Sequence, residues 1–274
     1  MTITTHPHPT RNTVLASAVI VAGPGDQLPV VRSQAPLVLR PTAEAVYLVG
    51  AAGGPVGGDR LELRIEVRAG SALRLRTVAA SVALPGLDGL ESVFAVSASV
   101  ATGGTLEYQP EPTVVADGAR HLTDVRVELA AGASLVLRDE LVLGRHNERG
   151  GACRTRLRVD YDGSPLLRHE VSVDGTDPIS LGPAILAGHR AYGTVLRVGD
   201  RLPAGGAAPG VAVMPLAGPG VLISAVAADS LALRRLLTSE CCLPRNNMDF
   251  RARTFRAPAR QHGSGLIEAH GGGD

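Results

Sequence analysis

The sequence GGPVGGDR at residues 53–60 runs directly into LELRIEV at residues 61–67. The glycines follow an apolar run at residues 46–49, an arrangement that also occurs in phosphate-binding loops. Such a loop, however, leads into a helix whose N-terminal amides face the phosphate. LELRIEV instead alternates apolar and charged residues with the period of a half-buried strand. The chain also contains no lysine, which a P-loop requires. We therefore interpret residues 53–60 as a wide turn that leads into a strand.

Alternation of the same kind recurs further along the chain. It is present at residues 125–129 and 157–161, and again at residues 167–173. The last two segments are separated by Asp-Gly-Ser at residues 162–164, a turn sequence that is typical of a β-hairpin. These patterns predict a β-rich domain.

A strand, a glycine turn and a second strand occur three times with similar sequences. The turn glycines are Gly70, Gly103 and Gly132, at spacings of 33 and 29 residues. Such spacings are typical of stacked repeats, although three similar hairpins of an ordinary β-sandwich would produce the same pattern. We predict an all-β fold, a layered or β-helical stack of antiparallel or mixed strands, and prefer stacked layers to the sandwich.

Helical signals are confined to the C-terminal third of the chain. Asp229 or Ser230 can cap a helix whose Leu233 and Leu237 share one face. A buried strand is predicted just before it, at residues 221–226. We therefore expect one or two short C-terminal helices.

The remaining C-terminal segments are predicted to be irregular. Residues 202–220 are rich in proline and glycine and indicate a loop. Residues 243–274 are polar and arginine-rich, so we expect them to form a disordered tail. The expected organisation is a single β domain at residues 1–242 followed by this tail.

Composition limits the classes of function. The 274 residues carry a formal net charge of +1, which argues against nucleic-acid or membrane partners held by bulk electrostatics. Three cysteines without a C-x-x-C pair favour a reducing compartment over a disulfide framework or a structural zinc site. The sequence has no pattern of a secretory leader or membrane span, so we expect a cytoplasmic protein.

Acidic residues near position 140 are the strongest sign of chemistry. Asp139 and Glu140 are adjacent on a predicted strand, so their side chains point to opposite faces and cannot act together on one substrate. We expect one carboxylate to lie inward with an arginine partner and the other to be solvated. A β-solenoid or sandwich hydrolase that uses Asp139 with Asp59 or Glu148 as acid and base stays an alternative.

One histidine has an informative position. His169 lies in the alternating segment at residues 167–173, on the same face as Leu167 and Val171. We expect it to point inward or to lie at an inner rim, where an imidazole needs a polar partner. A hydrogen-bonded core histidine and a member of an interior polar pathway are both compatible with this position.

Several motifs, taken in order, resemble the UreD (UreH) family of urease accessory proteins. They are GGPVGGDRL at residues 53–61, GSA at 70–72, TVAAS at 77–81, LEYQP at 106–110 and GRHNE at 144–148. Their order and spacing match from about residue 46 to about residue 175, and residues 221–239 are similar to the C-terminal part of the family.

The resemblance implies a scaffold that is not an enzyme, with an all-β fold and few helices. Members of the family bind apo-urease and the accessory protein UreF, which recruits the GTPase UreG. Nickel is expected to pass through the protein interior towards the urease active site, with no tightly bound cofactor. Weak, spaced oxygen or imidazole contacts suit such transit, because strong chelation would retain the ion.

The resemblance also assigns residues. The family's polar interior positions, which are candidate nickel contacts, fall on Asp59, Ser81, Asp139 and on His169 or its neighbour Glu170. The family-motif turn corresponds to Gly53, Gly54, Gly57, Gly58 and Arg60. The motif positions that are candidate partner contacts are Arg145 and Glu148.

Overall fold

The computed structural model describes residues 13–24, 29–200 and 202–239. Within these residues the chain forms 18 strands and two short helices, which confirms the all-β prediction. The predicted tail at residues 243–274 lies outside the described residues. The strands form two facing sheets, which we name the front sheet and the back sheet.

The front sheet has seven strands. Their bounds are β1 (Leu15–Ala22), β2 (Val30–Ser33), β5 (Arg60–Val67), β8 (Ser92–Val100), β11 (Arg120–Leu129), β13 (Ala152–Tyr161) and β14 (Ser164–Asp174). In space they follow the order β14-β13-β11-β8-β5-β1-β2. The five central strands are mutually parallel, whereas β2 and β14 pair antiparallel at the two edges.

The back sheet contains the other strands. Their bounds are β3 (Leu37–Pro41), β4 (Val46–Gly50), β6 (Ala72–Thr77), β7 (Ser81–Ala83), β9 (Thr105–Gln109), β10 (Thr113–Val115), β12 (Ser134–Leu143), β15 (Ala191–Val198), β16 (Gly206–Ala208), β17 (Val211–Pro215) and β18 (Gly220–Ala227). The main path has the order β16-β17-β18-β15-β12-β9-β6-β4-β3, and β10 pairs with both β12 and β7. Strands β4, β6, β9 and β12 are parallel.

Successive passes of the chain stack on one another, each placing a strand in the front sheet and then a strand in the back sheet. The turns between them contain Gly70, Gly103 and Gly132, whose φ angles of 63°, 67° and 73° favour glycine. The amide of Gly70 donates to the carbonyl of Thr102 in the next turn at 3.1 Å. The repeat is therefore a stack of layers, and the ordinary sandwich is wrong.

The segment at residues 53–60 is a turn, and β5 begins at its last residue, Arg60, as predicted. Gly57 packs on the loop of the next pass. A Cβ built on it would lie 2.5 Å from the amide nitrogen of Gly86 and from the carbonyl oxygen of Leu90. Glycine is required there because the two backbones approach too closely for a side chain.

The C-terminal region confirms the predicted hairpin, strand and helix but corrects one loop. Helix α1 (Pro178–Leu181) precedes the last strands, and α2 (Ser230–Thr238) follows them with Asp229 as its N-cap. Residues 202–220, expected to be a loop, contain β16 and β17. Their few apolar positions stand between prolines and glycines, and it is pairing with β18 that makes β17 a strand.

Three apolar clusters hold the layers together. The turn-side cluster lies between the sheets near the glycine turns and includes Leu63, Leu75, Leu106 and Leu135; the far cluster lies between the sheets at the other end and includes Val115, Leu141 and Leu143. The helix cluster joins the back sheet to Leu233 and Leu237 of α2. In the described part of the chain, neither helix has the length and apolar character needed to cross a bilayer.

Candidate functional site

A cavity of about 690 Å³ lies between the front and back sheets. Its apolar wall includes Leu61 and Phe94 from the front sheet and Leu48 and Leu137 from the back sheet. Its polar lining contains Asp59, Ser81, His121, Thr123, Arg138, Asp139 and Arg145. Three of the residues predicted to be interior, Asp59, Ser81 and Asp139, therefore border one space although they are far apart in sequence.

The cavity reaches the surface where the back sheet is interrupted. Residues 78–80 separate β6 from β7, and residues 110–112 separate β9 from β10. Residues of both interruptions line the cavity, and residues 78–81 are exposed. These interruptions form a mouth, which is bordered by the continuous strand β12.

A band of polar side chains separates the turn-side cluster from the far cluster. In the front sheet the band contains the register neighbours Thr123 and Thr155, and in the back sheet it contains the row Asp139, Thr194 and Ser224. On β12, Asp139 stands between Leu137 of the turn-side cluster and Leu141 of the far cluster. The interior is thus apolar at both ends and polar across its middle, where the cavity enters it.

Asp139 is the acidic residue of this band. It shares the inward face of β12 with Leu137 and Leu141, and within the described chain its carboxylate accepts no hydrogen bond. Burial, together with the nearby charge of Glu140, raises the pKa of Asp139 to about 6. An interior carboxylate without donors is costly to ionise, so a proton or a cation stabilises it.

The opposite end of the band lies at the edge strand β14. His169 is half-buried and inward, as its alternation predicted, and its Nε2 lies 2.8 Å from the hydroxyl oxygen of Tyr192. Burial lowers the pKa of His169 and raises the pKa of Tyr192 to about 12. Oγ of Ser224, a member of the band, lies 3.5 Å from the Tyr192 hydroxyl oxygen. The band therefore continues from the row that contains Asp139 through Ser224 and Tyr192 to a partly exposed imidazole at the edge of the front sheet.

His121 is a buried residue of the cavity lining that was not among the predicted site residues. Its Nδ1 lies 2.9 Å from Ser92 Oγ and its Nε2 lies 3.2 Å from Thr123 Oγ1. Burial lowers the pKa of His121 to about 4, so the ring is neutral at physiological pH. Extending the alternation at residues 125–129 backwards by two more inward positions would have found both Thr123 and His121.

Asp59 is buried, and both of its carboxylate oxygens accept backbone hydrogen bonds. The amide of Val14 donates to Oδ1 at 3.0 Å, and the amide of Val56 donates to Oδ2 at 2.9 Å. These bonds close the turn at residues 53–60 and tie the chain entering β1 to it. Asp59 therefore stabilises the wall of the cavity, and contact with a cation would compete with these bonds.

Two other predicted positions lie nearer the surface. Ser81 is exposed at the mouth of the cavity. Glu170 is exposed on the outer face of β14, where its Oε2 lies 2.7 Å from Nε of Arg156 and where that pair lowers the pKa of Glu170. Because side chains alternate along a strand, His169 is the inward residue and Glu170 is not an interior position.

Glu140 corrects the expectation for the two adjacent carboxylates. Asp139, the inward one, has no arginine partner among the described residues, whereas Glu140 on the other face is buried under α2 rather than solvated. Arg234 of α2 donates to both oxygens of Glu140 and also to Glu111, and Nη2 of Arg138 donates to the carbonyl of Pro110 at 2.9 Å. This cluster could not be predicted from the sequence because α2 supplies the arginine from a distant part of the chain.

The motif at residues 144–148 forms a tight loop beside the cavity. Glu148 Oε1 accepts from Nε of Arg145 at 2.9 Å, and its Oε2 accepts from the amide of Arg145 at 3.0 Å. These bonds lower the pKa of Glu148 to about 2. Arg190 donates to the carbonyls of Leu143, Arg145 and Glu148, which holds the loop against the back sheet. The role of Arg145 and Glu148 as partner contacts stays a prediction.

The hydrolase alternative requires a free pair of carboxylates. Asp59 and Asp139 border the same cavity, but the oxygens of Asp59 are engaged by backbone amides. Glu148 is engaged by Arg145. Among the residues that the structure describes, no three His, Cys, Asp or Glu side chains are grouped so that they could hold a metal ion together. The arrangement offers single polar contacts along an interior path.

Comparison with known proteins agrees with this architecture. The family model described as UreD urease accessory protein matches residues 18–256, which extends beyond the predicted domain end at residue 242. A protein of Parafrankia sp. (strain EAN1pec) named urease accessory protein UreD is 42% identical over 86% of this chain and 91% of its own length. The Frankia alni protein of the same name is 46% identical over 71% of this chain and 72% of its own length.

A third relative is similarly close. The protein of Streptomyces griseus subsp. griseus named urease accessory protein UreD 3 is 44% identical over 78% of this chain and 88% of its own length. The family match covers most of the chain, including the glycine turn, the cavity and α2. The chain belongs to the UreD family of urease accessory proteins, and its role lies in urease maturation.

Proposed function

We propose that this protein is a maturation scaffold without catalytic activity, which binds apo-urease and UreF and, through UreF, the GTPase UreG. In that assembly it conducts nickel to the urease active site through the polar band between its sheets. The names of the relatives support the accessory role, and the resemblance described above supports the partners. The polar band supports the route.

The observation that carries the proposal is the continuity of the band. A hydrated divalent ion needs oxygen or nitrogen contacts at intervals, because an apolar interior offers nothing in place of its water shell. Such contacts follow one another in space across the protein. They begin at the exposed mouth at residues 78–81, continue at the inward Asp139 and end at the partly exposed His169. The apolar clusters on either side confine the ion to this layer.

Asp139 is the proposed principal contact. Its carboxylate is unpaired within the described chain and borders the cavity, so a cation can approach it without displacing a hydrogen bond. Asp59 is the less suitable contact because its oxygens already accept two amides. Single carboxylate or imidazole donors bind a divalent ion weakly, which permits release.

The test is nickel incorporation into urease. The cognate urease would be expressed with UreF, UreG and either the native chain or Asp139→Ala, and the nickel content of purified urease would be measured by mass spectrometry. We expect Asp139→Ala to assemble normally but to deliver several-fold less nickel, because the main oxygen contact is lost. Glu128→Ala is the matched control, since Glu128 is an exposed carboxylate on the outer face of β11.

The outcomes separate the scaffold from the route. Full nickel content with Asp139→Ala would refute conduction past Asp139 but leave the scaffold intact. Full nickel content in cells that lack the chain altogether would refute the proposed function as a whole. Complex formation would be followed by co-purification of apo-urease and UreF with the tagged chain.

A further inference from the structure

The edge strand β14 offers a long surface for strand pairing. It contains 11 residues, whereas the other edge strands of the described chain, β2, β3, β7 and β16, contain four, five, three and three. Among the described strands only β13 pairs with β14, so the other edge of this strand is open to pairing except at its end, where the amide of Asp174 donates to Ser180 of α1 at 3.1 Å. Long free edges template pairing with another strand, and most proteins shorten or cover them.

The sequence of β14 is self-complementary about His169. If a second copy of β14 pairs antiparallel with its centre at this residue, Arg168 faces the partner's Glu170 and Glu170 faces the partner's Arg168. Leu167 then faces the partner's Val171. Residues directly opposite each other in an antiparallel pair share a face and interact, so each of these contacts is favourable.

The faces of the strand agree with this register. Arg168 and Glu170 are exposed on the outer face, where charges stay solvated in a dimer. Leu167 and Val171 are partly buried on the inner face and pack against the turn-side and far clusters. His169 also points inward, to Tyr192 of its own protomer, and so stays clear of the pairing backbone.

We infer that β14 is a homodimerisation edge. The β14 strands of two copies of this chain pair antiparallel there and join the two front sheets into one continuous sheet. The inference does not rest on the proposed function. Pairing adds backbone hydrogen bonds along the strand and two symmetric pairs of opposite charge across the two-fold axis. Within the protomer Arg168 pairs with Asp160 and donates to the carbonyls of Val159 and Leu167, and Glu170 pairs with Arg156. These ion pairs lie at the surface, where solvent weakens them, so the two side chains can exchange them for contacts with the second copy.

The experiment is sedimentation velocity on the purified full chain from about 1 to about 100 µM, a range in which association by mass action is visible. We expect a monomer–dimer equilibrium. Glu170→Arg places like charges opposite each other twice and should weaken association by about tenfold. The double variant Arg168→Glu/Glu170→Arg recreates opposite charges across the axis and should restore association to within about threefold of the native chain.

Arg64→Glu is the matched control. Arg64 is an exposed, ion-paired arginine on the outer face of the same sheet, in the central strand β5, and its reversal should leave association unchanged. Thermal melts of every variant establish that the monomer is folded. Slower amide exchange in β14 at the higher protein concentration would support the pairing independently of any substitution.

Three results would overturn the inference. One is a monomer at all concentrations, and a second is a dimer that is indifferent to both the single and the double charge change. The third is protection of β14 amides that develops only when urease or another accessory protein is added, which would assign the edge to a different partner.

Discussion

Arg234 and Glu140 form a two-point ion pair beneath α2 although 94 residues separate them in the chain. Nε lies 3.2 Å from Oε1 and Nη2 lies 2.5 Å from Oε2. The Glu140 side chain is 0% exposed, so water cannot replace the arginine. The pair fixes α2 to β12, on the strand that also carries Asp139 into the interior.

Replacing Arg234 with Met should destabilise the fold by about 2 kcal/mol, because among the described residues it leaves the buried Glu140 carboxylate with Arg138 as its one cationic neighbour. Urea unfolding measures this loss. Arg64→Met removes an exposed partner of Glu62 and should cost less than about 0.5 kcal/mol. Equal losses for the two variants would contradict the structural role of the α2 pair.

Substituting Asp139 by Asn should change how stability depends on pH. The pKa of Asp139 is raised from 3.8 to about 6 in the folded protein, so the folded state binds the proton more tightly than the unfolded chain does. The stabilisation that the protonated Asp139 contributes is fully present below the pKa that Asp139 has in the unfolded chain. It is lost as the pH rises from about 4 to about 6.

At neutral pH, Asp139→Asn should therefore be more stable than the native chain by on the order of 2 kcal/mol. The difference should shrink as the pH falls towards 4, where both side chains are neutral. The free energies of unfolding of the native chain and of Asp139→Asn, measured between about pH 4 and neutral pH, test this prediction. A stability gain that does not vary with pH would show that ionisation of Asp139 is not the cause.

His121 should make the stability of the fold depend on pH in the opposite direction. Its pKa is lowered from 6.5 to about 4 by burial, so the unfolded chain binds the proton more tightly and the fold loses stability as pH falls through this interval. In His121→Gln this part of the loss of stability at acid pH should disappear, whatever the substitution costs in stability at neutral pH. NMR titration of the His121 ring provides a direct check, since a pKa near 6.5 would exclude the buried neutral state.

Two glycines of the same motif should respond differently to alanine. Gly57→Ala should cost about 2 kcal/mol or more, because its Cβ would meet the backbone of Gly86 and Leu90. Gly53→Ala should stay within about 0.5 kcal/mol, since no described atom beyond Gly53 and its two chain neighbours lies within 4 Å of the Cβ position. Thermal unfolding of both variants compares them, and similar losses would refute the close approach of the two loops.

Much of the fold follows from local patterns. The alternation at residues 61–67 identified β5, and the spacing of Gly70, Gly103 and Gly132 indicated the stacked layers. The hairpin from β13 to β14 and the cap of α2 at Asp229 were also predicted. In β16 and β17 the local pattern was too short, and partner strands determined the conformation.

The candidate site was predictable only in part. Alternation placed His169 inward or at an inner rim and placed Asp139 and Glu140 on opposite faces of their strand, while the family resemblance selected Asp139. Neither showed that Asp59 is engaged by two backbone amides. The resemblance allowed either His169 or Glu170; in the sheet His169 faces Tyr192 and Glu170 faces solvent.

The turn at residues 53–60 and the strand that follows it were determined by the sequence alone, because glycine geometry and side-chain alternation act over a few residues. The partners of each inward side chain were decided only by the tertiary structure. A period-2 pattern specifies which face a residue occupies, whereas the group opposite depends on how the two sheets and α2 come together. That packing covered Glu140 with Arg234 and left the carboxylate of Asp139, in the polar band, without a partner in the described part of the chain.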